Sequence, residues 1–130
     1  MKTEIKINLV FFDFSMSPDD LSQKLGINAT STWRKGDQGI TVPIRKKTNG
    51  WELSSGLDKS TDFEKHIDAL LAKIRPHKQQ FIEMGKVLSP VLSFVVYSYD
   101  GARPSMGFSK EAIQELAELN AEIDIDLYVL

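Results

Sequence analysis

The two ends of the chain alternate apolar and polar side chains. Isoleucine and leucine at every second position from Ile5 to Leu9 are separated by charged or polar residues, and residues 121–130 repeat the pattern with acids. A period of two is typical of a β-strand with one buried face and one face in water. The sequence therefore predicts strands at Lys2–Phe14 and Ala121–Leu130, each with one buried side.

Three further segments carry signals for helix starts. Ser17 precedes a proline and two acids, a pattern that predicts a helix ending at Gly26. Thr61 and Glu64 form a capping box before an apolar stripe at helical spacing, which consists of Phe63, Ile67, Leu70, Leu71 and Ile74. Pro76 breaks or redirects this helix, and a further helical segment after it contains Phe81, Met84 and Leu88. Ser109 is the predicted cap of a last helix with Ile113, Leu116 and Ala117 on its inner side.

Patterns in the middle of the chain predict two neighbouring strands and, further along the chain, a strand at the centre of the sheet. Ile40–Lys47 has strand character, and Pro43 within it indicates an edge strand or a bulge. Asn49-Gly50 is a strong hairpin signal, so Trp51–Ser54 is expected to return antiparallel to that strand. Residues 91–97 are apolar on both sides, which is typical of a central strand.

This order of elements predicts one α+β domain spanning residues 1–130. Its strands have one polar face and its helices one apolar stripe, which favours a two-layer sandwich with the helices on one face. The sheet is expected to have about five mostly antiparallel strands, and the order β-α-β-β-α-β-α-β is ferredoxin-like in its first six elements.

Composition narrows the classes of function. With 42% apolar and 26% charged residues, the 130-residue chain has an ordinary globular composition. A net charge of −2 gives no general attraction to phosphate backbones or anionic membranes, so a nucleic-acid partner and a membrane partner are not expected. The absence of cysteine and of an apolar leader segment favours a cytoplasmic location.

No group of residues in the sequence forms a recognisable reaction centre. His66 and His77 are predicted to be surface or boundary histidines, and their separation matches no metal-ligand spacing. Asp124 and Asp126 share one side of a strand but provide too few oxygen ligands for a hard cation. There is no phosphate-binding glycine loop and no nucleophile elbow. We therefore expect no catalytic residues, no metal, no cofactor and no enzymatic activity.

The candidate binding residues lie mainly in the connections. They are Trp33, Arg34, Lys35, Asp37, Trp51 and Arg103. Tryptophan and arginine dominate interface energetics, so these residues are a candidate recognition surface with both indole rings on the open face of the sheet. The alternative is structural, with glycines serving turns, Thr30 and Asp37 bonding the local backbone and the tryptophans packing against the sheet.

Charge is distributed unevenly along the sequence. Residues 34–47 are basic apart from Asp37, whereas residues 111–126 are mostly acidic. Opposite poles of this kind could steer a charged partner or pair two copies in a homodimer. Alternatively, both are solvated faces, or Lys2 and Lys6 pair with the terminal acids across neighbouring strands.

Several motifs along the chain form a recognisable set. They are Leu25-Gly26 with Thr30, Trp33, Lys35-Gly36-Asp37, Gly50-Trp51-Glu52-Leu53, the helix with His66-Ile67, and the ending from Leu116 to Tyr128. Together they resemble a bacterial family, the domain-of-unknown-function family four-two-seven-nine. Ala29 departs from the proline expected before the threonine. The resemblance implies a small stand-alone bacterial protein, similar in style to the immunity proteins of toxin systems, and it supplies no catalytic or ligand-binding residues.

The sequence favours binding over catalysis. The first hypothesis is a protein-interaction module of the immunity-protein kind with a protein partner. The second is a small-ligand-binding domain with a pocket near Trp33 and Trp51, and the third is a hydrolase whose carboxylates the sequence does not identify. A closed cavity beside both tryptophans would favour a ligand, and a flat exposed surface would favour a partner protein.

Overall fold

The sheet is built around its longest strand, β1 (Thr3–Phe12), in a computed structural model that describes residues 3–37 and 46–130. β1 pairs antiparallel with β3 (Gly50–Ser54) on one side and with β4 (Val91–Ser98) on the other. β2 (Ser31–Trp33) extends the sheet beside β3, and β5 (Glu122–Val129) extends it beside β4. The strand order is thus β2-β3-β1-β4-β5, and the parallel pairing of β5 makes the sheet mixed.

The helices form a second layer on one face of this sheet. They are α1 (Pro18–Leu25), α2 (Phe63–Ile74), α3 (Lys78–Leu88) and α4 (Lys110–Glu118), with a 3-10 turn at Arg75–His77 between α2 and α3. Pro76 lies in that turn, where the sequence predicts a change of helix direction. The predicted two-layer α+β sandwich is therefore confirmed, while its ferredoxin-like label stays a prediction.

One hydrophobic core lies between the two layers. Every second residue of the central strands points into it, including Ile5, Ile7 and Leu9 of β1 and Phe94 of β4. Two aromatic clusters anchor the layers: one consists of Phe11, Trp51 and Phe81, and the other of Phe63, Phe94 and Phe108. The opposite face of the sheet has no helix on it in the described ranges, and we call it the open face.

The helix starts agree with the sequence at two places and differ at a third. The hydroxyl groups of Ser17 and Ser109 accept hydrogen bonds from Asp20 N and Ala112 N, so both predicted caps are confirmed. The predicted capping box at Thr61 is wrong, because α2 begins one residue later, after Asp62, and has no side-chain cap.

The partner of β3 differs from the sequence-based expectation. Most of Ile40–Lys47, including Pro43, lies outside the described residues, and Lys46 and Lys47 are not in a strand. No strand signal marks β2 in the sequence. This strand is only three residues long and pairs with β3, with Trp33 opposite Gly50.

The last two elements are less buried than their patterns predict. Leu116 lies in the core as predicted, but Ile113 and Ala117, which were also expected inside, are exposed, Ile113 by 55%. The other core positions at this end of the chain are Ala112 of α4 and Leu119 just after it. Every residue of β5 is exposed, so its predicted buried side is wrong. The alternation in β5 is real, but no helix covers its apolar side in the part of the chain described here.

Candidate functional site

The side chain of Trp33 lies on the open face at the edge of the sheet. Trp33 pairs with Gly50 across β2 and β3, and its ring occupies the space above Gly50 that a Cβ atom would fill. On the other side of Gly50, Phe12 of β1 is 46% exposed. The Lys46 ammonium lies 5.0 Å from the centroid of the Trp33 ring, in cation–π range.

Two basic residues follow Trp33 in a tight turn. Arg34 and Lys35 are exposed, and their backbone N–H groups donate to the side chains of Asp37 and Asn49, each at 2.7 Å. Asp37 therefore fixes the turn, as its structural interpretation predicts, and the cations project from a defined backbone. We call Phe12, Trp33, Arg34, Lys35 and Lys46 together the Trp33 surface.

Asn49 connects this turn to the rest of the fold. Its side-chain amide donates to the backbone carbonyls of Phe14 and Met16, at 3.2 and 3.0 Å, while its side-chain oxygen accepts from Lys35 N. One partly buried side chain thus holds the turn against the segment that follows β1.

Trp51 does not belong to the Trp33 surface. Its side chain is fully buried, packs against Phe11 and Phe81, and donates its indole N–H to Ser22 Oγ at 2.9 Å. Adjacent residues of a strand point to opposite faces, so Gly50 on the open face directs Trp51 into the core. This corrects the expectation that both indole rings lie on the open face.

Arg103 is also separate from the Trp33 surface. It is exposed in the loop after β4, where Ser98 Oγ donates to the carbonyl of Ala102 at 2.6 Å. Ser98 pairs with Thr3 at one end of β1, whereas Trp33 lies at the other end, about 30 Å away along an extended strand of this length. The structure therefore does not bring Arg103 and the tryptophan together.

Glu52 is the acidic residue of the open face next to this surface. It lies between Val10 and Ser31 across the sheet and is only partly exposed. Desolvation raises the pKa of the Glu52 carboxyl, and the nearby charge of Lys46 lowers it to a smaller extent.

His66 is a buried polar residue, although its sequence context predicted a surface or boundary position. It is 1% exposed, and its Nδ1 lies 2.7 Å from Ser55 Oγ, whereas its Nε2 has no hydrogen-bond partner among the described residues. Burial lowers its pKa, and the backbone and carboxylate of Asp58 act in the opposite direction. The helical spacing between Phe63 and Leu70 places residue 66 on the buried stripe, a signal that could have located it.

The pair of Ser55 and His66 links the loop after β3 to α2. Ser55 Oγ also lies 3.3 Å from Leu57 N and is itself buried, so the pair joins two elements inside the protein. A buried hydroxyl is not accessible to a substrate, and the pair is best explained as a structural contact.

Five surface depressions on the described residues lie away from the tryptophans. One of about 380 Å³ lies beside the start of α2, and a shallow one of about 420 Å³ lies on the open face at Val10, Phe12 and Val91. Three more lie on or between helices and their adjoining loops, and none of the five is lined by Trp33 or Trp51. Trp33 lies on the open face and Trp51 is fully buried on the other, so the two indole rings do not line one pocket.

Fold and site define a small two-layer α+β protein with an open sheet face and a basic, tryptophan-bearing corner. Within residues 3–37 and 46–130, no three metal-ligating side chains cluster, and no helix has the length and apolar character to span a membrane. The chain belongs to the family described as Domain of unknown function (DUF4279), whose model matches residues 3–130. No curated protein and no solved structure matches it.

Proposed function

We propose that this protein is a non-catalytic protein-interaction module that binds a partner protein through the Trp33 surface. Such a module acts by occupying its partner's surface, as immunity proteins do, and needs no reaction centre of its own. A bacterial, cytoplasmic setting is part of the proposal, and the absence of cysteine is consistent with it.

The observation that carries the proposal is the position of the Trp33 ring. A tryptophan at a sheet edge usually gains stability by burial, but this ring is only partly buried and lies over Gly50 on the open face. Partly exposed tryptophan beside arginine is the composition of interface hot spots. Phe12, which is 46% exposed, pairs with Gly50 from the opposite side and adds apolar area to the same face.

The charged residues around the Trp33 ring indicate the chemistry of the partner's binding surface. Arg34, Lys35 and Lys46 are exposed, and the contact of Arg34 with Asp19 is a solvent-accessible pair 3.5 Å long. An exposed pair of this kind contributes little to stability and can rearrange. A partner surface with carboxylates around an apolar centre therefore fits the Trp33 surface.

The test is capture from a lysate of cells that encode the protein, with quantitative comparison of four baits. They are the wild type, Trp33→Ala, Arg34→Ala and the matched control Val87→Ala, which changes an exposed apolar residue in the helix layer. We expect a protein that the wild type and Val87→Ala retain equally and that both other variants lose by about tenfold, the change that a lost hot spot produces. Equal retention by all four baits would refute the proposed surface.

A further inference from the structure

The free edge of β5 is the largest unpartnered strand surface of the described residues. Ile123, Ile125 and Leu127 are 45%, 43% and 49% exposed. They lie on the same face of the sheet as the core residues of β1 and β4. The exposed side chain of Ile113 on α4 lies on the same helix side of the sheet. We call β5 with its unpaired side the β5 edge.

The backbone of the β5 edge directs alternate N–H and C=O groups away from the sheet. Glu122 N donates to Pro90 O and Leu130 N donates to Ser98 O, so the even-numbered residues direct their N–H and C=O groups at β4. Successive residues of a strand point these groups in opposite directions. The odd-numbered residues 123–129 therefore direct theirs away from the sheet, a free row that is a template for another strand.

The two sides of the β5 edge differ in chemistry. Glu122, Asp124 and Asp126 lie on the open-face side, and no ion pair within the described chain involves them. The other side is apolar. An added strand would therefore place every second side chain among carboxylates and the rest beside aliphatic groups.

We propose that the β5 edge binds an extended segment of a partner protein in which apolar and basic residues alternate. The segment continues the sheet by main-chain hydrogen bonds to the odd-numbered residues of β5. Its lysine or arginine side chains lie beside the three carboxylates, and its apolar side chains cover Ile123, Ile125 and Leu127. Strand addition of this kind takes affinity from the backbone and specificity from alternate side chains.

A second copy of this chain does not fit the β5 edge. Two copies of β5 can pair antiparallel with both helix layers on the same side of the joined sheet, and two registers then pair most of the strand. One register places Asp124 opposite Asp126. The other places Asp126 opposite Asp126 of the second copy. Like charges directly opposite each other are destabilising. The other edge of the sheet also fits poorly, because β2 has only three residues.

The test uses synthetic blocked peptides of about nine residues, enough to span the strand. One peptide alternates valine and lysine, a second has the same composition with the lysines together, and a third alternates valine and glutamate. We expect only the first to bind, with amide chemical-shift changes centred on β5 and an affinity that falls with added salt. Absence of binding by the first peptide, or equal binding by the second, would overturn the proposal.

N-methylated peptides separate strand pairing from side-chain contact without altering the protein. Methyl groups on the peptide amides that face β5 are expected to weaken binding at least about tenfold, whereas the same groups on the outward amides leave it nearly unchanged. Equal effects of both peptides would overturn strand addition.

Protein variants provide the second comparison. Ile125→Pro removes an outward N–H and the side chain, while Ile125→Ala removes the side chain alone. We expect the proline variant to bind about tenfold more weakly than the alanine variant, with thermal unfolding within a few degrees of it, since proline is tolerated on the free side of an edge strand. Equal affinities of the two variants would contradict the proposal, as would a wild type that is dimeric through β5. The Trp33→Ala variant is expected to bind the alternating valine–lysine peptide as the wild type does. This result separates the β5 edge from the Trp33 surface of the proposed function.

Discussion

The ring of Trp33 fills the space above Gly50, its direct cross-strand neighbour. A Cβ atom built on Gly50 would overlap the six-membered part of the indole. Because Gly50 has no side chain, the Trp33 ring can lie directly over the backbone of Gly50. The Trp33 surface depends on this pair.

The first prediction concerns Gly50→Ala. The new methyl group is expected to displace the Trp33 ring and to reduce the free energy of unfolding by about 1–3 kcal/mol, as overpacking does. Denaturant unfolding measures the loss, and tryptophan fluorescence reports the altered environment of the ring.

Trp33→Ala supplies the control for that prediction. In the double variant with Gly50→Ala, the clash is absent, so the combined loss of stability should be smaller than the sum of the two single losses. Strictly additive losses would show that the ring and the glycine are not in contact.

The second prediction concerns the pH dependence contributed by His66. Burial lowers its pKa in the folded protein, so the unfolded chain, with a pKa near 6.5, binds the proton more readily. The contribution of the neutral ring is therefore fully present above pH 6.5 and is lost as the pH falls below that value. Chemical denaturation between pH 7.5 and 5 measures this slope.

His66→Gln is the matched variant, because it retains a hydrogen-bonding side chain beside Ser55 and does not titrate. Its stability is expected to fall less steeply between pH 6.5 and 5 than that of the wild type. Identical slopes would mean that His66 is protonated equally in the folded and unfolded states.

The third prediction concerns Glu52 on the open face. Desolvation raises its pKa above 4.5, so the ionised carboxylate is less favourable in the folded protein than in the unfolded chain. This penalty grows as the pH rises through the folded pKa. Glu52→Gln should therefore be more stable than the wild type at pH 7, by a margin that shrinks toward pH 4. A constant margin between these pH values would contradict the assignment.

The fourth prediction concerns Trp51 as a core residue. Trp51→Phe is expected to lower the free energy of unfolding by about 2–4 kcal/mol, because it leaves a cavity and removes the hydrogen bond to Ser22. Ser22→Ala alone should cost less, and in the Trp51→Phe background it should cost almost nothing. If Ser22→Ala lowered the stability of the Trp51→Phe variant as much as that of the wild type, the hydrogen bond to Trp51 would not be the main role of Ser22.

The sequence predicted those elements whose signals are local. The hydroxyl caps at Ser17 and Ser109 and the left-handed glycine at Gly26 depend on residues within one helical turn, and each is present in the structure. Strands β1 and β4 were predicted because alternation or continuous apolarity extends over seven or more residues.

The errors arose where tertiary position decides the outcome. β2 is too short to have a period of its own and exists because β3 pairs with it. The alternation in β5 is that of a half-buried strand, yet what covers a strand is set by helix placement, which the sequence does not encode locally. Of the candidate binding residues, Trp33, Arg34 and Lys35 share one surface, whereas Asp37 holds the turn, Trp51 is in the core and Arg103 is at the far end.

Among the strands that the structure describes, β5 is hydrogen-bonded only to β4, and none of its own side chains is buried. Its detachment would open one ladder and leave the remaining four strands and their aromatic clusters assembled. Local opening free energies are lowest for units with few buried contacts. We therefore expect two levels of cooperativity, with amide exchange at β5 preceding global unfolding while β1 stays protected.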